Sequence, residues 1–231
     1  MASRMPTARI VPMTNTTNIT AVMDNPHSEH CRDCKVRLHE LLTTLYRDAC
    51  HKDYLFPWPS NPKAYDGTRI GEILQCIYSE LKDYRGYGGF IRSPRMPPCD
   101  YYIENPGFIL EFDERQHFSR PRGVTLDLYP AHLRMGFSLQ KWHRLCAVLH
   151  AEDPNPPDRD ERRAWYDCLR DLLPTVHGLG PTIRLYEGAL PWCELQPDSP
   201  EDIRTFMSFL QGRHSIEPEC QSPSGIPTGQ T

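Results

Sequence analysis

No stretch of this 231-residue sequence approaches the roughly 20 apolar residues that a membrane-spanning helix needs, so no membrane protein is expected. The opening Met-Ala-Ser-Arg-Met-Pro-Thr-Ala-Arg holds no apolar run, and no secretory signal is expected from it. A Gly-x-Ser-x-Gly elbow is missing, so acyl transfer has no support from a motif. Arg85-Gly-Tyr-Gly-Gly-Phe lacks the Lys-Ser/Thr ending of a phosphate-binding loop and reads as a helix stop. Excess positive charge is also missing: the net charge of −4 argues against a general polyanion binder. Proline, by contrast, is plentiful at 23 residues, which predicts many loops and short helices. With 39% hydrophobic and 24% charged residues the composition is that of a soluble globular domain. Nine cysteines, an odd number, read as reduced thiols and predict a cytoplasmic location.

Residues 100–118 carry most of the chemistry. Two strand-like runs meet at Asn105-Pro106-Gly107, and acids stand where apolar residues belong. Asp100 opens the first run; Glu111 and Asp113 interrupt Phe108, Ile109, Leu110 and Phe112 in the second. Carboxylates on a buried sheet are costly unless paired or bound to a metal, so the cluster asks for a cation. Alternation puts Glu111 and Asp113 on one face, with Leu110 and Phe112 on the other. An even-numbered loop, such as Glu104 to Gly107, sets Asp100 opposite Glu111. A three-residue loop sets it opposite Phe112, on the wrong face.

An acid on one strand followed, after a turn, by Glu111-x-Asp113-x-x-x-His117 resembles the restriction-endonuclease-like, PD-(D/E)XK, nucleases. The nearer likeness is to the branch that includes very-short-patch repair endonucleases. The resemblance implies that Asp100, Glu111 and Asp113 ligate Mg²⁺ or Mn²⁺, and that Asp100, Glu111, Asp113 and His117 form the catalytic set. It departs from the usual pattern in two places: Asp113 stands where Glu-x-Lys has its lysine, and Glu114 where the branch often has glycine. The implied fold class is α/β, a short mixed sheet with a central β-hairpin flanked by helices, plus an N-terminal helical Cys-containing segment. The implied partner is nucleic acid, DNA before RNA.

Flanking periodicity agrees. Ile70, Ile73, Leu74, Ile77, Tyr78 and Leu81 form a helical stripe; Glu72 and Glu80 on that helix are weak site candidates. A second helix starts at Asp158, with Glu161 placed for a capping box and Trp165, Cys168, Leu169 and Leu172 inward. A strand containing Arg184 follows, as in the nuclease branch. Leu139, Trp142, Leu145, Cys146 and Leu149 predict a helix over 138–150, and Ile203, Phe206, Met207 and Leu210 one over 200–213. Lys35 to Asp48 predicts a further helix with Val36, Leu38, Leu41, Leu42 and Leu45 inward.

Four segments result: 1–26 and 214–231, polar and without periodicity; 27–62, a helical Cys/His segment; and 63–213, the α/β domain. Arginines crowd residues 85–122, and Arg115, Arg120 and Arg122 are the expected substrate-phosphate contacts. His117 is expected to act as general base or to place the scissile phosphate. Cys31 and Cys34, with Cys50 further on, have the spacing of a structural zinc site whose fourth ligand is open among His27, His30, His39 and His51. Three functions stay open: a metal-dependent nuclease, an inactive nucleic-acid-binding protein of that fold, and a zinc-stabilised interaction module.

Overall fold

The computed structural model describes residues 32–214. In chain order the elements are α1 (Arg32–Tyr46), β1 (Cys50–Tyr54), α2 (Gly71–Arg85), β2 (Cys99–Ile103), β3 (Phe108–Asp113), α3 (Arg120–Asp127), α4 (Leu139–Leu149), α5 (Arg159–Val176), β4 (Ile183–Tyr186) and α6 (Pro200–His214), joined by loops and short 3₁₀ turns. One four-stranded mixed sheet runs β1-β2-β3-β4. β1, β2 and β3 are antiparallel neighbours, and β4 lies parallel to β3. A parallel neighbour needs a crossover, and α3 to α5 supply it.

The alternation of β3 divides the core. Phe108, Leu110 and Phe112 face a cluster with Leu38, Leu41 and Leu42 of α1 and Phe206 and Leu210 of α6. Ile109 faces a second cluster with Leu74, Ile77 and Leu81 of α2 and Trp165, Leu169 and Leu172 of α5. With both faces covered, every residue of β3 is buried, acids included. The predicted α/β class and all five predicted helices are present.

Several expectations need correction. Residues 50–54, expected within the helical Cys/His segment 27–62, form the first strand and pair with β2. A helix cannot bury a leucine stripe alone, so α1 packs on the shared sheet and that segment is part of one fold. Val36 and Met207 are exposed because the inward stripes of α1 and α6 are narrower than the periodicity implied. The capping box at α5 does not form: Asp158 makes no side-chain cap, and its carboxylate binds Arg92. Glu161 instead holds Arg85 through Nε and Nη2, both at 2.5 Å. Gly86, at φ 78, does end α2 in the left-handed conformation that glycine permits. The expectations for 1–26 and for the tail fall outside the described residues, except for His214 at the end of α6.

Candidate functional site

Hairpin register decides whether the acids meet. Tyr101 pairs with Leu110, Tyr102 with Ile109 and Ile103 with Phe108, leaving a four-residue turn, Glu104 to Gly107. That is the even-numbered case, and it sets Asp100 opposite Glu111. Each acid also holds the other's strand: the Asp100 N–H donates to Glu111 Oε1 at 3.1 Å, and the Phe112 N–H donates to Asp100 Oδ2 at 2.8 Å. Both acids line a cavity of about 410 Å³. Arg159, Arg162, Arg163, Tyr166 and Arg170 of α5 line it as well, and so does His117. Their three- and four-residue spacing is what places them on one helix face.

Glu111 is buried, and that burial pushes its carboxyl up to about 8; the neighbouring Asp100 charge adds to the rise, while Arg170 and Arg184 oppose it. Arg170 Nε lies 3.3 Å from Glu111 Oε1. From the α1 side, Lys35 carries its ammonium to within 3.1 Å of Glu114.

Asp113, two residues along the same strand face, is not part of the pocket. Its carboxylate accepts from Arg184 Nη1 and from Trp142 Nε1, each at 2.6 Å, and it is 1% exposed. The expectation of Asp113 as a third metal ligand is therefore corrected: a buried arginine and an indole N–H satisfy it. Arg184 extends this buried cluster, donating from Nε to Asp171 at 2.6 Å and from Nη2 to the Asp167 carbonyl at 3.1 Å. Arg122 joins it through Asp171 at 2.6 Å and the Tyr129 hydroxyl at 2.9 Å.

His117 links cluster and pocket. Nδ1 stands 3.0 Å from Asp167 Oδ2 and 3.6 Å from Asp113 Oδ1. Burial disfavours its charged form, but the Asp167 and Asp113 carboxylates outweigh that and hold the imidazole above its ordinary range. For Asp167, burial pulls the other way and loses: His117 and Arg184 keep its carboxyl well below the usual carboxylate range.

None of the three arginines expected to hold substrate lines this cavity. Arg122 is 1% exposed, because Ser119 caps α3 and turns residue 122 inward. Arg120 meets His150 at 3.2 Å in a separate groove between α3 and α4. Arg115 offers its backbone N–H to Glu187 at 2.7 Å and its guanidinium to the Leu149 carbonyl at 3.5 Å. The cationic wall comes from α5 instead, and the spacing of its arginines along one helix face was the signal available for it. Glu72 and Glu80 are exposed on α2 and do not reach the cavity.

Asp100 and Glu111 give the oxygen donors that Mg²⁺ takes, an ion commonly held by one or two carboxylates with waters and phosphate oxygens completing its shell. Among the described residues no group of three or more His, Cys, Asp or Glu side chains converges to hold a metal. Cys34 is buried in the α1 core, Cys50 opens β1 opposite Ile103, and Cys31, His27 and His30 lie outside the described residues. His51 faces Glu104 at 3.2 Å, and His39 stacks on Tyr101.

Among the described residues no helix is long and apolar enough to cross a membrane. Compared with known proteins, the chain matches no family model, no curated sequence and no solved structure.

Proposed function

We propose that this chain is a divalent-metal-dependent nuclease of restriction-endonuclease-like architecture that hydrolyses phosphodiester bonds, in DNA before RNA. One observation carries the reading: Asp100 and Glu111 converge across the hairpin at a cavity whose other side is a face of arginines. Paired acids and facing cations are the two things a phosphodiester enzyme has to bring together. The succession of hairpin, arginine-bearing helix and arginine-bearing strand also follows the order that the resemblance implied.

Asp100 and Glu111 would hold the cation, Mg²⁺ or Mn²⁺, which when bound supplies Lewis acidity and a water of lowered pKa. Arg159, Arg162 and Arg163 engage phosphates of the strand and set its position. His117, with Nδ1 committed to Asp167, works through its other ring nitrogen. The Asp167 and Asp113 carboxylates favour its charged form, which suits it to donate to the phosphate and place it, the second of the two roles expected from the sequence.

The test is incubation of supercoiled and linear DNA with Mg²⁺ or Mn²⁺, comparing the parent with the Asp100→Ala/Glu111→Ala double variant. Cleavage by the parent and none by the double variant is expected. Full cleavage by the double variant overturns the assignment.

A second reading, a nucleic-acid-binding protein of the same architecture without turnover, is favoured by the Glu111–Arg170 contact and the raised Glu111 carboxyl. DNA retention by a parent that does not cleave with either metal selects it.

A further inference from the structure

Three arginines are buried around β3 and α5, and they differ in how completely their guanidinium groups are used. Arg184 donates to Asp113, Asp171, and both the carbonyl and carboxylate of Asp167. Arg122 donates to Asp171, Tyr129, Thr125 and the Cys168 sulfur. Arg170 makes one hydrogen bond, from Nη2 to the Pro98 carbonyl at 2.9 Å. Its Nη1 lies 3.5 Å from Asp167 Oδ1 and its Nε 3.3 Å from Glu111 Oε1, and Nε has no hydrogen-bond partner.

A guanidinium carries five N–H donors and cannot shed its proton in a protein. Leaving such donors unused under burial is costly, and more so where charge is involved. Of these three arginines, only the incompletely used one lines the cavity with Asp100 and Glu111. Arg163, on the same wall, has its Nη groups taken by the Gln116 carbonyl and by Asp153. Lys35, a cation that approaches the acids from α1, is paired with Glu114 and does not line the cavity.

We propose that Arg170 is the catalytic residue that grips the reacting phosphoryl group, its fork taking the non-bridging oxygens beside Asp100 and Glu111. This rests on the nuclease reading and supplies a cation where Asp113 replaces the usual lysine. A planar fork suits a phosphoryl group, which offers two oxygens at once, better than a point charge does. Charge that grows on those oxygens in the transition state then meets donors already in place.

Inorganic phosphate is the probe. Its affinity is measured by calorimetry in metal-free buffer for the full chain and for Arg170→Gln, Arg170→Lys and the exposed-residue control Arg144→Gln, with circular dichroism confirming each fold. Arg170→Gln is expected to weaken phosphate binding at least about tenfold, Arg170→Lys to fall between, and Arg144→Gln to match the parent. In DNA cleavage, Arg170→Lys should lower kcat by about 100-fold with KM within about threefold, the pattern of an interaction made in the transition state. A folded Arg170→Gln protein that binds phosphate within twofold of the parent overturns the proposal. So does an unchanged kcat for Arg170→Lys. Arg170-dependent phosphate binding in a parent that cuts no DNA would retire the nuclease reading while keeping the anion-binding half of this one.

Discussion

Glu111 and Asp113 sit two residues apart on the same strand face, and their surroundings could hardly differ more. Asp113 is enclosed by Arg184 and Trp142 at hydrogen-bond distance. Glu111 receives one backbone N–H and a misaligned arginine, and its carboxyl is pushed up to about 8. Asp113 is part of a buried framework of matched charges; Glu111 is held at its edge by a single hydrogen bond and one ion pair. Local rules are most often broken at functional sites and obeyed in the structure that supports them, so on the nuclease reading Asp113 belongs to the scaffold and Glu111 to the chemistry.

The largest test of that division is Arg184→Met. Removing the guanidinium leaves the Asp113 charge with the Trp142 indole and His117 and takes from Asp171 one of its two arginines, and breaking a buried pair from one side costs about 3–5 kcal/mol. That is a large share of a typical domain's stability, so the urea midpoint should fall steeply. Glu111→Gln should behave oppositely and stay within about 1 kcal/mol of the parent. The amide keeps an oxygen for the Asp100 N–H and removes an ionisation that burial opposes. Equal losses in the two variants would erase the distinction between framework and site.

How much of this was legible beforehand follows the same division. Alternation along β3 placed Glu111 and Asp113 on one face, and apolar periodicity found α2, α4 and α5, because both signals are local. Pro106 and Gly107 permit two loop lengths, so the sequence leaves the hairpin register open; the pairing of Tyr101 with Leu110 fixes it. Asp113 was read as a ligand because its partner, Arg184, is 71 residues away and joins it only when β4 docks on β3. Arg122 is expected to hold substrate phosphate because its place in a concentration of arginines is visible, whereas its burial follows only once the Ser119-capped helix packs on α5 and meets Asp171. The residues missed altogether, Arg170 above all, belong to a crossover helix whose polar face acquires meaning only against the hairpin.

A smaller effect should separate the two regions by pH. Glu111 takes up its proton more readily in the folded chain than in the unfolded one, whose glutamates titrate near 4.3. The folded state therefore binds the extra proton between about 4.3 and about 8, and stability falls as pH rises through that window. His117, also raised, adds stability that is whole below its unfolded value near 6.5 and is lost as pH climbs through its folded one. Asp167, held low, works in the opposite sense: its contribution is present above about 3.9 and disappears only in acid. Melting temperatures across pH 5 to 9 should decline, and two variants should each flatten part of that decline: Glu111→Gln through Glu111 itself, and Asp167→Asn through His117, which the Asp167 carboxylate holds up. On the proposed reading the same ionisation that weakens the fold prepares the acid pair for a cation, so metal affinity should climb over the range in which stability drops.

The smallest effect concerns the arginines outside both regions. Arg120 lies in the α3–α4 groove against His150, away from the acid pair, so Arg120→Ala should leave stability within about 0.5 kcal/mol and DNA affinity within about twofold. Arg162 and Arg163 face the cavity from α5, and on the nuclease reading a double alanine substitution there should remove up to two phosphate contacts. Each lost contact lowers the slope of log affinity against log salt by about 0.9, so the two sets are told apart by a salt titration and not by affinity at one ionic strength. Asp153 already pairs with Arg163 at 2.7 Å, which will trim the contribution of that residue. Arg162, whose contact to Asp158 is 3.5 Å, should therefore account for most of the change. A salt slope that responds to Arg120 and ignores Arg162 would move the nucleic-acid track off α5 and return it to the loop from which the sequence drew it.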